Sequence, residues 1–333
     1  MKNIMDDEIL KLAVQKWSGK VYQLEIGATP DNGGTREKVI KVGGQNCMPF
    51  LHFEGEMPNA PHLAIEILDI KPQEYPQQLS KAFGSALNNP VDWAKKCVED
   101  YGFDLLCLRF IGAHPDWGDK SCKECAEIVE KILKVVKVPL IIVGCGDPER
   151  DQDLLFEVSS AAQGENCLIG MALESNYKSV VASCISNGHS LIAETPIDIN
   201  LCKQLNILIS DMGFPLEKIV IHHATAGLGY GLEYTYSIME RTRLAALQGD
   251  KLLAQPMISF VGWEVWKTKE ARATEEEMPE WGQLSKRGVF WEVVTSIAYL
   301  QAGADILVLN HPSSIIRLQD IIEDLMSREE IIL

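Results

Sequence analysis

From residue 61 onward the sequence alternates short apolar or β-branched runs with longer amphipathic stretches, the pattern of repeated βα units. Eight units can be counted, with strands expected at Leu63–Leu68, Leu105–Phe110, Leu140–Val143, Cys167–Met171, Leu191–Ala193, Ile219–Ile221, Pro256–Phe260 and Ile306–Leu309. A helical stretch follows each run. Between Cys122 and Val136, Ala126, Val129, Leu133 and Val136 recur at helical spacing, while Lys123, Glu124, Glu130 and Lys131 fall elsewhere. Parallel strands joined by helices need both faces covered, and eight units in about 270 residues match the usual size of a (β/α)8 barrel. The expected fold class is therefore α/β, a TIM barrel, with a doubly wound open sheet as the alternative of the same rhythm.

The first 60 residues break the alternation. Val21–Ile26 and Val39–Val42 read as two strands joined by the turn-rich Pro30, Asp31, Asn32, Gly33 and Gly34, a β-hairpin expected to pack on the barrel. The chain divides on this reading into an extension, residues 1–60, and a barrel, residues 61–333. Between Lys267 and Lys286, acids, Pro279 and Gly282 interrupt the seventh unit, and an exposed loop is expected there.

Charge narrows the partners. With 31 Lys and Arg against 47 Asp and Glu, a net charge of −16 repels nucleic acid and anionic membranes. No apolar run approaches the ~18 residues that span a bilayer. The N-terminal MKNIMDDEILKLAVQKW carries acids and lacks the apolar core of a signal peptide, so the cytoplasm is the expected compartment. Nine scattered cysteines, mostly inside apolar runs, suit reduced core thiols.

In α/β barrels, ligands collect where the loops after the strands converge. Those loops here offer Asp69; His114 to Trp117; Gly144 to Asp147; Glu174 to Asn176; Glu194 and Thr195; His222, His223 and Thr225; Gly262 and Trp263; Asn310 and His311. Histidines and carboxylates at one mouth are the donor types of a divalent metal site, but no HxH follows the first strand, and no metal ligand set is assigned. Gly227, Gly229 and Gly231 precede a helix, where bare backbone N–H groups could cradle a phosphate or admit a planar ligand beside Tyr230 and Tyr234. Their spacing is not that of the dinucleotide fingerprint. Cys122 and Cys125 form a lone CxxC, two thiols short of an iron–sulfur cluster, and read as packing or surface thiols. Trp263 and Trp266 read as a stacking lid or as interface and core residues. No nucleophile–base pair emerges, so no catalytic residue is assigned.

The run from Gly227 through Gly229, Tyr230, Gly231 and Tyr234 to Met239-Glu240-Arg241 resembles the small, delta-type subunit of the corrinoid iron–sulfur protein of the acetyl-CoA decarbonylase/synthase system. Other segments agree in the same order: residues 27–44, His52-Phe53-Glu54-Gly55-Glu56, Gly144-Cys145-Gly146-Asp147, Asn176-Tyr177-Lys178-Ser179, residues 198–209, Val261-Gly262, and His311-Pro312. The likeness covers nearly the whole chain.

This resemblance implies a barrel without catalytic machinery of its own. It implies a heterodimer with a large subunit carrying a [4Fe–4S] cluster and a corrinoid (cobalamin), which the barrel caps but does not hold alone. The assembly would carry a methyl group from a methyltetrahydrofolate or methanopterin methyltransferase to acetyl-CoA synthase, both transient partners. The implied cofactor-facing residues are Asn176, Thr225, Gly227, Gly229, Tyr230 and His311, with His222 and His223 where the family is expected to carry Asp-Pro. Asn310 likewise stands where Arg is expected, and the loop from His114 to Trp117 departs too. Because strand side chains alternate, at most one of His222 and His223 should face a ligand. A free-standing barrel enzyme, either a pterin-dependent methyltransferase or a metal-assisted hydrolase, is the competing reading.

Overall fold

The computed structural model describes residues 14–224 and 226–327. Two strands, β1 (Gln23–Ile26) and β2 (Ile40–Gly43), pair antiparallel with Gln23 opposite Gly43 and Ile26 opposite Ile40. Eight more form one parallel sheet: β3 (His62–Leu68), β4 (Leu106–Arg109), β5 (Leu140–Val143), β6 (Leu168–Ala172), β7 (Ser190–Thr195), β8 (Ile219–His223), β9 (Ile258–Ser259) and β10 (Ile306–Leu309). Their order, β8-β7-β6-β5-β4-β3-β10-β9, is closed by an Ile221–Met257 bridge, so the sheet is a nearly closed barrel. The open doubly wound alternative is thereby set aside.

β4 is shorter than the expected Leu105–Phe110, whereas two other ladders run further than their apolar runs. β7 and β8 extend through polar residues, pairing Glu194 with His222 and Thr195 with His223, because backbone groups hold a ladder whatever the side chain. β9 is shorter than the expected Pro256–Phe260. Pro256 has no N–H to give, and the Met257 N–H goes instead to the Asp305 carboxylate at 2.7 Å.

Alternation sorts each barrel strand into two environments. Ala64, Cys107, Ile141, Leu168, Ile192, Val220, Ile258 and Ile306 fill the barrel interior. Ile65, Leu108, Ile142, Leu191, Ile221 and Leu307 pack outward against the helices. The helix Cys122–Val135 illustrates that outer layer. Ser121 and Glu124 form a reciprocal cap at its start, and Cys125, Val129, Ile132 and Leu133 are its buried stripe.

Leu24, Ile26, Ile40 and Val42 join the interior core, so the hairpin plugs the N-terminal end of the barrel. Arg36, fully buried beside it, pairs with Glu165 at 2.9 Å. It also donates to the carbonyls of Leu133 and Val136, at the end of the helix Cys122–Val135. With that end sealed, the opposite mouth is the open one. Of the loop expected between Lys267 and Lys286, Lys269–Arg272 is instead a short helix with Ala271 buried and Leu284 already opens the helix Leu284–Ala302, while residues 274–283 are mostly exposed, with a short turn of helix at Pro279–Trp281.

Seven of the nine cysteines are buried and all nine are free thiols. Among the described residues, no helix is long and apolar enough to cross a membrane.

Candidate functional site

The C-terminal ends of β4 to β9 surround a cavity of about 670 Å³. Its inner wall comes from strand positions that alternation turns inward, and these carry charge. Arg109 ends β4 and donates from Nε to the Glu66 carboxylate at 2.7 Å, an ion pair buried inside the barrel. The guanidinium lies 4.9 Å from the Phe260 ring centre and 4.6 Å from that of Trp263. Those two rings supply the dry surroundings and the π-faces that favour a cation there. Asn310 closes this group, its amide donating to Glu66 at 3.3 Å.

Across the cavity, Glu194 and His222 are ladder partners, with carboxylate and Nε2 3.7 Å apart. His222 also bonds the Ile258 carbonyl through Nδ1 at 3.1 Å and meets the Phe260 ring edge to face. Burial holds its pKa below the usual histidine value, against the opposing pull of Glu194, so it is neutral at pH 7. Lys267 lies over the Trp263 ring at 3.7 Å, and burial, aided by Arg109, lowers its pKa to about 8. Trp263 also borders a neighbouring cleft that runs toward Trp117 and Trp266.

The glycine-rich segment forms the rim. Gly227–Tyr230 is a single helical turn leading into the helix Leu232–Leu247. A Cβ on Gly227 would lie 2.3 Å from the Thr235 hydroxyl, whereas at Gly229 nothing stands within 4 Å. Gly231 takes φ +138°, a backbone conformation that side chains oppose. The phosphate-cradle expectation is corrected, because the Leu228 N–H is engaged by the half-buried Glu264 carboxylate at 3.4 Å. Tyr230 is 79% exposed and Tyr234 54% exposed at this rim, and Trp117 is 57% exposed at its own loop. The Gly144 to Asp147 loop is pinned by Asp151, whose carboxylate accepts from Cys145 N at 2.7 Å and Gly146 N at 3.1 Å. Burial pushes the Cys145 thiol up to about 12, so it is not a nucleophile in waiting.

Of the residues expected to face a cofactor, His222 and Gly229 line the cavity, while Gly227 and Tyr230 shape its rim. Three do not reach it. His223 has the outward parity of β8 and bonds the Thr242 hydroxyl at 3.0 Å in the helix layer, where burial lowers its pKa to about 3. Asn176 spends its amide on the Leu173 N–H and the Met171 carbonyl, holding its own turn. His311 caps the helix Pro312–Met326 through Ser313 N and stacks on Trp266, 6.0 Å between centres. Thr225 lies outside the described residues. Glu66 and Arg109 were missed because they sit inside apolar runs. A charge at an inward strand position, as in LAIEIL and LCLRF, is the signal that marks them.

Cys122 and Cys125 open the helix Cys122–Val135, Cys125 buried in the core, as the packing reading expects. Trp266 is buried and Trp263 is the cavity wall. Among the described residues no group of three His, Cys, Asp or Glu lies close enough to hold a metal ion.

Residues 23–327 match the family model of the CO dehydrogenase/acetyl-CoA synthase delta subunit. The chain belongs to that family. It is 33% identical over 322 residues to the acetyl-CoA decarbonylase/synthase complex subunit delta 1 of Methanosarcina thermophila, spanning 95% of this chain and 73% of that protein. To the subunit delta of Methanothermobacter thermautotrophicus it is 35% identical over 309 residues, 92% of this chain and 76% of the relative. Among solved structures, a dihydropteroate synthase of Xanthomonas albilineans superposes with a TM-score of 0.55 over 83% of this chain and 96% of that one. At 11% identity the latter likeness speaks for the barrel fold alone. The delta-subunit family thus builds its complex component on a barrel whose mouth, in this chain, is lined by Arg109, Glu194 and His222.

Proposed function

We propose that this chain is a non-catalytic subunit that caps the corrinoid of a larger, [4Fe–4S]-carrying partner and supports methyl transfer from methyltetrahydrofolate or methanopterin to acetyl-CoA synthase. The observation that carries the reading, beside the family, is the rim: bare backbone at Gly229 flanked by the exposed ring of Tyr230, over a cavity whose Arg109 is already paired. Large exposed aromatics around small residues are what a partner surface buries.

The residues suit such a group. A flat macrocycle needs an approach free of side chains, and Gly229 leaves one. Two carboxylates at the mouth are already engaged, Glu264 by the Leu228 N–H of the glycine-rich segment and Glu66 by Arg109. The corrinoid, when bound, supplies the cobalt that accepts and gives up the methyl group. This chain's part is to cover that reactive face, with Gly229 and Tyr230 at the rim and Trp263 and Phe260 in the cavity wall. His222 would contribute a neutral imidazole from the cavity wall.

The test is co-expression with a large corrinoid-carrying subunit of the complex, followed by cobalamin absorbance and hydrogen exchange. A stoichiometric complex with residues 226–234 protected by the partner supports the reading. Equal exchange in both samples, or methyl-transferring activity or bound metal in the isolated chain, favours the free-standing enzyme.

A further inference from the structure

Nothing in the family assignment gives a role to Glu194 or to the arginine opposite it. His222 Nδ1 lies 3.1 Å from the Ile258 carbonyl oxygen, which can only accept, so Nδ1 carries the proton. In the neutral ring Nε2 is then a bare lone pair, and it points at the Glu194 carboxylate 3.7 Å away, another acceptor. Neither group makes a further side-chain hydrogen bond to a described residue, though His222 is 91% buried. Two converging acceptors with no protein donor between them leave a place for a donor supplied by a ligand in the cavity. Across the cavity, Arg109 bonds Glu66 through Nε, its terminal nitrogens make no hydrogen bond to a described residue, and its charge acts on both Glu194 and His222. The Phe260 ring touches both His222 and Arg109 and gives the space between them a flat apolar side.

We infer that Glu194, His222 and Arg109 form a binding subsite for a neutral amide group, whose N–H is shared by Glu194 and His222 and whose carbonyl is taken by Arg109. An anion is disfavoured by Glu194, and a cation by Arg109 and Lys267. A neutral group with a donor and an acceptor side by side satisfies all three residues at once. Two sources offer that chemistry: a peripheral carboxamide of a corrinoid, which rests on the function proposed above, and the cyclic amide edge of a pterin, which does not.

Benzamide and methyl benzoate, which carry the same aryl carbonyl with an NH2 and with an OCH3 group, are the first probes, titrated into the full chain with 15N-labelled histidine. Benzamide is expected to shift the Nε2 resonance of His222 and to bind at least about tenfold tighter than the ester. Glu194→Gln places an N–H opposite Nε2, satisfies the pair from within, and should abolish that preference. Glu194 makes no hydrogen bond to a described side chain, so this variant should melt with the parent, and circular dichroism checks it. Should it misfold, the benzamide and ester comparison on the parent decides alone. Equal binding of the two probes, or an unmoved Nε2, overturns the inference whatever becomes of the corrinoid reading. Dicyanocobinamide against heptamethyl cobyrinate, and 6-methylpterin alone, then identify the source. A shift only with cobinamide supports the corrin amide. A shift only with the pterin keeps the amide subsite and counts against the corrinoid.

Discussion

Glu66 and Arg109, on neighbouring strands and 43 residues apart, meet at 2.7 Å inside the barrel, with Phe260 and Trp263 covering the guanidinium. Two charges taken from water cost several kcal/mol each and are tolerated only as a pair with further hydrogen bonds. Asn310 provides one of those bonds. The pair therefore fixes the floor of the cavity at a geometry set by two strands.

Removing one member should expose that cost. Glu66→Ala leaves a buried, unpaired guanidinium and is expected to destabilise the fold by about 3–5 kcal/mol in urea unfolding. Replacing both residues by Met should recover most of the loss, because no charge is then stranded. A double variant no more stable than Glu66→Ala would show that the pair is not what holds the floor.

At the closed end, Arg36 ties the hairpin to the barrel through Glu165 and the carbonyls of Leu133 and Val136. Arg36→Met is expected to cost a similar 3–5 kcal/mol, since it strands Glu165 and the end of a helix together. The cavity lies at the other end, so the His222 resonances should not move at temperatures where the variant is folded.

Glu292, fully buried on the helix Leu284–Ala302, accepts the Asn310 N–H at 2.7 Å and the Ser314 hydroxyl. Burial nonetheless raises its pKa from 4.5 to about 7. Between those values the folded chain holds a proton that the unfolded chain releases, so this contribution is complete below pH 4.5 and lost as pH rises through 7. Glu292→Gln should flatten stability across that window, removing a slope worth about 3 kcal/mol, read by denaturation at several pH values.

The rim glycines should separate packing from docking. Gly227→Ala drives a methyl into the Thr235 hydroxyl, 2.3 Å away, and is expected to lower stability by about 1–3 kcal/mol. Gly229→Ala meets open space and should melt within about 0.5 kcal/mol of the parent. Any loss of partner binding in Gly229→Ala then reports on the docked face alone.

The alternation of apolar runs with amphipathic stretches determined eight strands, their parallel sense and the leading hairpin, because those patterns are local and each unit shows its own buried face. Alternation also separated His222 from His223 in advance: adjacent strand residues cannot share a side, and His223 indeed turns to Thr242. The rest is decided at long range. Asn176 and His311 look like ligands in sequence, yet the fold gives their polar atoms to their own turns. Glu66 and Arg109 look like blemishes in apolar strands until register brings them together. The Glu194–His222 pair follows from the register of β7 on β8, which no local pattern specifies. Sequence determined which side each strand residue faces, and closure of the barrel decided which of those residues meet, since that depends on strand pairings between segments tens of residues apart.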